Sequence, residues 1–295
     1  MRCVGVVGYG EVGRILAEDL RARGTDVLAY DLKLDDDRRA PLQAHADAHG
    51  VRLVADHAAV AGASDLVVSA VTADQAVAVA DALAPGLRPG TFVLDLNSAS
   101  PQAKQRAAAA VNEAGGRYVE GAVMTSVPPH RLGVPILLGG PDARALAPLL
   151  AELGLTDATA HDETLGVASA SKLCRSVVIK GMEALFVESL TAARHHGVED
   201  AVLASFNETF PGIDWDAQAC YFFARATQHG RRRADEMEQA ADTVAASGLD
   251  PVSSRATAQR QRWLADLAEA GTITPTQNWR DTADRILKGE SHGPR

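Results

Sequence analysis

The sequence has few cysteines, and their arrangement excludes two kinds of site. Three cysteines, Cys3, Cys174 and Cys220, occur among 295 residues. Because they are widely spaced and odd in number, they indicate neither a disulfide framework nor a cysteine-rich zinc site. His45 and His49 are four residues apart, which is a spacing that metal sites use, but no carboxylate or cysteine partner is evident in the sequence. We therefore predict surface histidines and no metal.

Positive charge is in deficit, and long apolar runs are missing. The formal net charge of −9 argues against a surface that binds nucleic acid. The run 231–233 of three arginines is too short, and too closely followed by acids, to reverse that conclusion. No apolar run of about 18 residues is free of charge, and no basic-then-apolar leader precedes the first predicted strand. We therefore expect a cytoplasmic protein that binds neither nucleic acid nor a membrane.

A glycine-rich turn near the N-terminus predicts a dinucleotide site. An apolar run at residues 3–7 leads into a Gly-x-Gly-x-x-Gly motif, and apolar residues then recur at helical spacing. In a strand, turn and helix of this kind the first glycine permits the turn, the second lets backbone amides approach a pyrophosphate, and the third brings the helix close to its strand. The anion then lies at the helix N-terminus. The predicted cofactor-binding residues of this turn are Gly8, Tyr9, Gly10, Glu11, Val12 and Gly13.

Asp31 predicts which dinucleotide binds. Residues 25–30 are predicted to form the second strand, and Asp31 stands at its end. A carboxylate at this place accepts hydrogen bonds from the adenosine ribose hydroxyls and repels a 2′-phosphate, so it favours NAD over NADP. NADP is the other possibility, with Lys33 or Arg38 as phosphate ligands.

The chain is long enough for two domains, and the pattern changes between them. Further strands are predicted at residues 51–54, 64–71, 91–96, 116–123 and 135–139, with helical segments between them. Strands that alternate with helices predict an α/β domain, a Rossmann-type doubly wound parallel sheet over residues 1–161. Residues 162–295 are predicted to form an all-helical domain. A ligand binds beyond the carboxyl ends of such strands, where we expect Val71, Thr72, Asn97 and Ser98.

One long helix is predicted at residues 165–196, because no proline interrupts it and Gly197 follows as a stop. It is apolar nearly all round, so we expect it to be buried at the centre of the fold. Lys172, Ser176, Lys180 and Glu183 share one sector of it at 100° per residue. Lys180 and Glu183 either serve the site or pair with each other. Shorter helices are predicted at 200–206, 217–229, 231–246 and 253–270, the second of them ended by Gly230.

Three segments resemble the β-hydroxyacid dehydrogenase family, which includes 3-hydroxyisobutyrate dehydrogenase and the N-terminal part of 6-phosphogluconate dehydrogenase. Beside the glycine turn, residues 95–101 are similar to the family's Asp-x-Ser-Thr-x-x-Pro segment near the nicotinamide. Residues 166–172 are similar to the segment that ends in the family's catalytic lysine, here Lys172. Residues 180–181 and 229–237 are more similar to a branch whose C-terminal half is known only as a domain of unknown function.

The resemblance implies the roles of the site residues. Lys172 is the expected general acid and base, acting with Ser176, and a free lysine titrates near about 10.4, so its surroundings must lower that value. Substrate contacts are expected from Ser98 and from the loop of residues 124–133, although that loop could also be a plain connection. In this loop Met124 replaces the family's carboxylate-binding serine, and Thr125 and Ser126 follow it. Relatives also imply a homodimer formed through the helical domain.

The function implied is an NAD(P)-dependent oxidoreductase that acts on a small hydroxyacid-like carboxylate or phosphonate. Because the usual anion contacts are missing, we expect Lys180, His229 and Arg232 to contribute to substrate binding, while a surface cluster of arginines held by nearby acids is the alternative. An imine reductase is a rival function, but such enzymes usually lack the lysine. A catalytically silent NAD-binding sensor or scaffold is the rival from another class.

Overall fold

The computed structural model describes residues 1–276 and 278–290. The chain divides into two compact units, Met1–Leu173 and one that begins at Cys174. The boundary expected from the sequence falls between residues 161 and 162. The division in the structure falls later, inside a long helix.

The first unit is built on one eight-stranded sheet. Its order is β3-β2-β1-β4-β5-β6-β7-β8, and every neighbouring pair is parallel except β6 and β7. The strands are β1 (Cys3–Val7), β2 (Asp26–Tyr30), β3 (Arg52–Leu53), β4 (Leu66–Ser69), β5 (Phe92–Asp95), β6 (Arg117–Val123), β7 (Ile136–Gly139) and β8 (Ala158–Asp162). This is the predicted Rossmann-type α/β fold.

Two features of the sheet were not predicted from the sequence, namely the direction of β7 and the presence of β8. β7 runs antiparallel to β6, and the connection between them, residues 124–135, contains a four-residue helix and a three-residue 3₁₀ helix rather than a full crossover helix. β8 was not predicted, because four of its five residues are exposed and it lacks the apolar alternation that marks a strand.

Helices cover the sheet and carry the chain onward. Those before the division are α1 (Glu11–Ala22), α2 (Arg39–His49), α3 (His57–Ala63), α4 (Ala76–Leu83), α5 (Pro101–Glu113), α6 (Val127–His130) and α7 (Ala143–Leu153). The division falls within α8 (Val167–His196). The apolar core of the first unit joins the strands to the inner faces of these helices, for example Val4 and Val6 of β1 with Leu16 of α1.

The second unit is helical. After α8 it contains α9 (Glu199–Thr209), α10 (Trp215–Ala245), α11 (Val252–Glu269) and α12 (Trp279–Glu290). Its core packs aromatic and aliphatic side chains, with Phe223, Leu264 and Trp279 among the most buried. Within the described ranges, no helix is both long and apolar enough to cross a membrane.

The helices agree with the sequence prediction only in part. α10 is broken by a kink at His229, directly before Gly230, so the two helices predicted on either side of Gly230 meet there. Gly230 also lets α11 approach, since a Cβ there would lie 2.7 Å from the Gln261 carbonyl oxygen. α12 was not predicted. α8 is not buried all round, because Val178 and Leu185 are 60% and 66% exposed.

Candidate functional site

The glycine turn has the geometry of a pyrophosphate site. Gly8 has φ +89°, and a Cβ on it would collide with the Ala70 carbonyl, while a Cβ on Gly13 would collide with the Gly8 carbonyl. A Cβ on Gly10 would meet no atom of the described residues within 4 Å. Gly10 is the N-cap of α1 and offers no side-chain cap. The turn is therefore closed against the sheet and open where an anion can meet the N-terminus of α1.

Asp31 lies at the end of β2 beside this turn. Its Oδ2 accepts a hydrogen bond from the Tyr9 amide at 2.8 Å, and its Oδ1 accepts one from the Lys33 amide at 2.9 Å. A carboxylate has about four acceptor positions, so two amides fix its orientation and leave capacity for hydroxyl donors. Asp31 is thus held where a ribose diol can reach it.

Asn97 ties together the ends of β4 and β5. Its Oδ1 accepts from the Val71 amide at 2.7 Å, and its Nδ2 donates to Ser69 Oγ at 2.9 Å. Asn97 is 4% exposed, and Thr72 follows Val71 on the exposed side. The predicted cofactor residues Val71 and Asn97 therefore bond to each other and fix the edge of the sheet beside the glycine turn.

A buried polar cluster that the sequence analysis missed holds the turn after β5. Lys104 is 1% exposed, and its Nζ lies 2.9 Å from both the main-chain oxygen and Oδ1 of Asp95. Asp95 also accepts from the Asn97 amide at 2.9 Å and from the Tyr118 hydroxyl at 2.7 Å. Burial, followed by the Asp95 charge, raises the pKa of Tyr118 well above its usual value, so the phenol stays a donor. The sequence feature that could have indicated burial of Lys104 is its position on the same face of α5 as the buried alanines.

Lys172 is brought to this turn. Its Nζ donates to Ser98 Oγ at 2.5 Å. The start of α8, which carries Lys172, is held by Glu120, whose Oε1 accepts from the amides of Gly166 at 2.8 Å and Ala168 at 3.2 Å. Glu120 is fully buried. The first unit thus places an amine and a hydroxyl together just beyond the end of β5.

The loop after β6 contains the predicted substrate residues Met124, Thr125 and Ser126. The Met124 amide donates to the Pro135 carbonyl at 2.9 Å and so extends the pairing of β6 with β7. Thr125 is exposed, and Ser126 is the N-cap of α6 without a side-chain cap. The loop therefore leaves polar groups accessible in its second and third residues.

In the helical unit the charged residues of α8 pair with α10 rather than with each other. Lys180 pairs with Glu236, and Glu183 pairs with Arg233, which excludes the alternative that Lys180 and Glu183 bond directly. Lys180, Glu183 and Arg233 are each at most 6% exposed. Burial lowers the pKa of Lys180 and of Arg233 and raises that of Glu183, and the partners of opposite charge resist these shifts. Ser176, on the same helix, is 6% exposed.

The three consecutive arginines have different surroundings. Arg231 bonds to Asp266 and Glu269 of α11 at 2.7 Å, and Arg233 is the buried partner of Glu183. The Arg232 side chain is 53% exposed and approaches Glu236 only at 3.8 Å. Burial, with the charges of nearby arginines, lowers the pKa of His229 to about 4.

Comparison with known proteins is consistent with this geometry. Residues 3–160, more than half of the chain, match the family described as the NAD binding domain of 6-phosphogluconate dehydrogenase. Residues 193–264 match a family described as a domain of unknown function, DUF1932. No protein with a curated description matches the chain in sequence.

Solved structures resemble the chain over nearly its whole length. A conserved hypothetical protein from Sinorhizobium meliloti 1021 is 37% identical with a TM-score of 0.77, covering 98% of this chain and 96% of its own. The conserved protein MTH1747, of unknown function and reported to be structurally similar to 3-hydroxyacid dehydrogenases, is 30% identical with a TM-score of 0.70, covering 92% and 100%. Mycobacterium tuberculosis 3-hydroxyisobutyrate dehydrogenase with L-serine is 18% identical with a TM-score of 0.68, covering 98% and 99%, and shows the shared fold.

These matches confirm the resemblance inferred from the three sequence segments. The match over residues 3–160 contains the glycine turn, Asp31 and the turn that carries Ser98. The chain therefore belongs to the NAD(P)-binding family that shares the dinucleotide-binding domain of 6-phosphogluconate dehydrogenase, in the branch whose C-terminal half carries a helical domain of unknown function.

Proposed function

We propose that the protein is an oxidoreductase that transfers hydride between NAD(P) and the CH–OH carbon of a small β-hydroxyacid-like substrate, a carboxylate or a phosphonate. The observation that carries the proposal is the 2.5 Å contact between Lys172 Nζ and Ser98 Oγ. Both residues lie in the unit that contains the glycine turn. An amine and a hydroxyl beyond the strand ends of a dinucleotide-binding sheet are suited to move a proton at a substrate oxygen.

Lys172 moves that proton. In oxidation its neutral amine accepts the proton of the substrate hydroxyl, and in reduction its ammonium donates a proton to the carbonyl oxygen. The nicotinamide, when bound, supplies the hydride chemistry. Ser98 orients the amine, and the buried pair of Asp95 and Lys104 keeps the turn that carries Ser98 in place. We also assign Ser176, four residues after Lys172, to holding the substrate hydroxyl or the lysine.

The preferred dinucleotide is NAD. Asp31 offers acceptors to a free ribose diol and repels a phosphate at the same place. Its two amide contacts, to Tyr9 and Lys33, fix the carboxylate and support this preference. Thr72 and the amides of the glycine turn complete the proposed cofactor contacts.

Two groups of residues are assigned to binding the anionic group of the substrate. In the first unit, Thr125 and Ser126 offer polar groups, while Met124 removes the hydroxyl that the family uses. In the helical unit, Arg232 is the arginine of its run with the most weakly held charge, since its carboxylate contact among the described residues, to Glu236, is as long as 3.8 Å. Arginine forks suit carboxylates and phosphonates. His229 and Lys180 are assigned to substrate binding together with Arg232, because the family's usual anion contacts are missing from the sequence.

The protein is also proposed to form a homodimer through its helical unit. Val178 and Leu185 lie seven residues apart on α8, so they share one face of that helix. They are 60% and 66% exposed in the single chain. Large apolar residues exposed together on one helix face are typical of an interface.

A substrate panel tests the activity. Hydroxyacids, hydroxyphosphonates and amino alcohols are offered with NAD⁺ and with NADP⁺, and formation of the reduced nicotinamide is followed by its absorbance. Turnover of a hydroxyacid or hydroxyphosphonate supports the proposal. Reduction of cyclic imines alone would identify an imine reductase, and tight dinucleotide binding without any turnover would identify a sensor or scaffold.

A further inference from the structure

Two histidines and a glutamate that the proposed activity does not use come together between α1 and α2. His45 and His49 lie one turn apart on α2, and Glu18 lies on α1. One ligand atom from each of the three residues lies within 4.8 Å of the other two. Glu18 is distant in sequence from the histidines, so the local spacing of residues does not reveal it as their carboxylate partner.

Each side of this cluster is braced by a further residue. Tyr9 is fully buried, and its hydroxyl lies 2.9 Å from His45 Nδ1. This contact engages Nδ1 and leaves Nε2 as the ring nitrogen that can coordinate a metal ion. Arg131 Nη2 contacts Glu18 Oε2 at 3.1 Å. Metal-binding histidines and carboxylates characteristically have such outer partners, which fix the tautomer and the orientation of the ligand.

Charged groups around the cluster have opposing effects on a bound cation. The positive charges of Arg14 and Arg131 oppose a cation, while Glu18 and Asp19, which pairs with Arg131, favour one. These opposing charges largely offset one another, so the affinity for a metal ion depends mainly on the coordinate bonds to the three ligands.

We propose that Glu18, His45 and His49 bind one divalent transition metal ion, with zinc as the best match. Two imidazoles and one carboxylate form a ligand set that zinc uses, with a water completing four-coordination. At bond lengths of about 2.0–2.2 Å the ligand atoms of a tetrahedral site lie roughly 3.4 Å apart, so small side-chain rotations close the cluster. The ion would join α1 to α2 and stabilise the first unit.

Calorimetric titration with zinc tests the site in the full chain, freed of any affinity tag and treated with a chelator that is then removed. The expected result is one zinc per chain with a micromolar or lower Kd. His49→Gln and Glu18→Gln each remove one ligand and are expected to weaken binding at least about tenfold. If one of these variants does not fold, the other decides.

The matched control is the chain's other histidine pair. His195 and His196 lie in ring contact at the end of α8, with centroids 4.9 Å apart. His196→Gln is expected to leave zinc affinity unchanged. Zinc is also expected to raise the Tm of the wild type and of His196→Gln but not of His49→Gln. No stoichiometric binding, equal binding by the ligand variants and the wild type, or binding without a rise in Tm would each overturn the proposal.

Discussion

Asp31 gives the sharpest prediction at the scale of a single residue. Replacing it with serine removes both carboxylate acceptors and the negative charge at the end of β2. We expect the affinity for NAD⁺ to fall at least about tenfold, roughly 1.4 kcal/mol, and the affinity for NADP⁺ to rise. Calorimetric titration with both dinucleotides measures this. Asp37→Asn, at an exposed residue in the segment that follows β2, is the control. Tighter binding of NADP⁺ than of NAD⁺ by the wild type would contradict the assignment.

Lys104 tests the buried cluster that supports Ser98. Lys104→Met keeps an unbranched side chain only one atom shorter but leaves the Asp95 carboxylate, 2% exposed, without its cation. Removing one partner of a buried ion pair costs about 3–5 kcal/mol. We expect that loss in the free energy of unfolding measured with urea. Arg144→Met, at a side chain 79% exposed, is expected to change it by less than about 0.5 kcal/mol, and equal effects would refute a special role for the cluster.

Local sequence patterns could predict the residues whose chemistry depends on near neighbours. Gly8, Gly10 and Gly13 act within one turn, so their spacing carried the information. Lys104 and Glu18 could not be recognised in this way. Lys104 stands in an alanine-rich helix where a charged residue usually faces solvent, and the partner histidines of Glu18 lie on another helix. Such pairings follow from tertiary packing rather than from spacing.

The kink in α10 predicts a pH dependence at the scale of the element. His229 has non-helical φ and ψ angles of −131° and 16°, and its pKa is lowered to about 4 by burial and then by Arg225, Arg232 and Arg233. An unfolded histidine titrates near about 6.5. Between about pH 6.5 and pH 4 the unfolded state therefore binds a proton that the folded state does not, so stability falls as pH falls through this window.

Urea unfolding at a series of pH values checks this prediction. The wild type is expected to lose more stability than His229→Gln between about pH 7 and pH 4, and the two are expected to run parallel above about pH 7. His196→Gln, at an exposed histidine, is expected to follow the wild type. Parallel curves for the wild type and His229→Gln across the whole range would show that the kink does not hold the imidazole neutral.

The elements that the sequence failed to predict were missed for different reasons. α12 packs against distant parts of the chain, whereas β8 pairs with the nearby β7 and is exposed at four of its five residues. The direction of β7 depends on the connection before it, which residue composition does not specify. Gly230 was interpreted from local propensity as a stop, and the kink lies directly before it, but the close packing of α11 against Gly230 depends on tertiary contact. By contrast, the strands that alternate with amphipathic helices carry periodic signals, and their places along the chain were predicted.

Assembly is the prediction at the scale of the whole molecule. Leu185→Glu places a charge on the exposed apolar face of α8 that also carries Val178. We expect the wild type to have the mass of a dimer and the variant that of a monomer in light scattering after gel filtration, because burying an unpaired carboxylate in an interface is costly. Leu249→Glu, at an equally exposed leucine outside α8, is the control. A monomeric wild type, or a dimeric Leu185→Glu, would contradict the assembly.

The most direct test of the proposed activity is the turnover number of Lys172→Ala, measured with the substrate found in the panel and alongside its affinity for the dinucleotide. Loss of an acid–base group commonly lowers the rate about 10²–10⁴-fold. We predict a loss in that range with dinucleotide affinity unchanged, because the glycine turn and Asp31 hold the cofactor without Lys172. Lys288→Ala, an exposed lysine of α12, should keep the wild-type rate. A Lys172→Ala enzyme that retains more than about half of the wild-type turnover would contradict the role of Lys172 as the general acid and base.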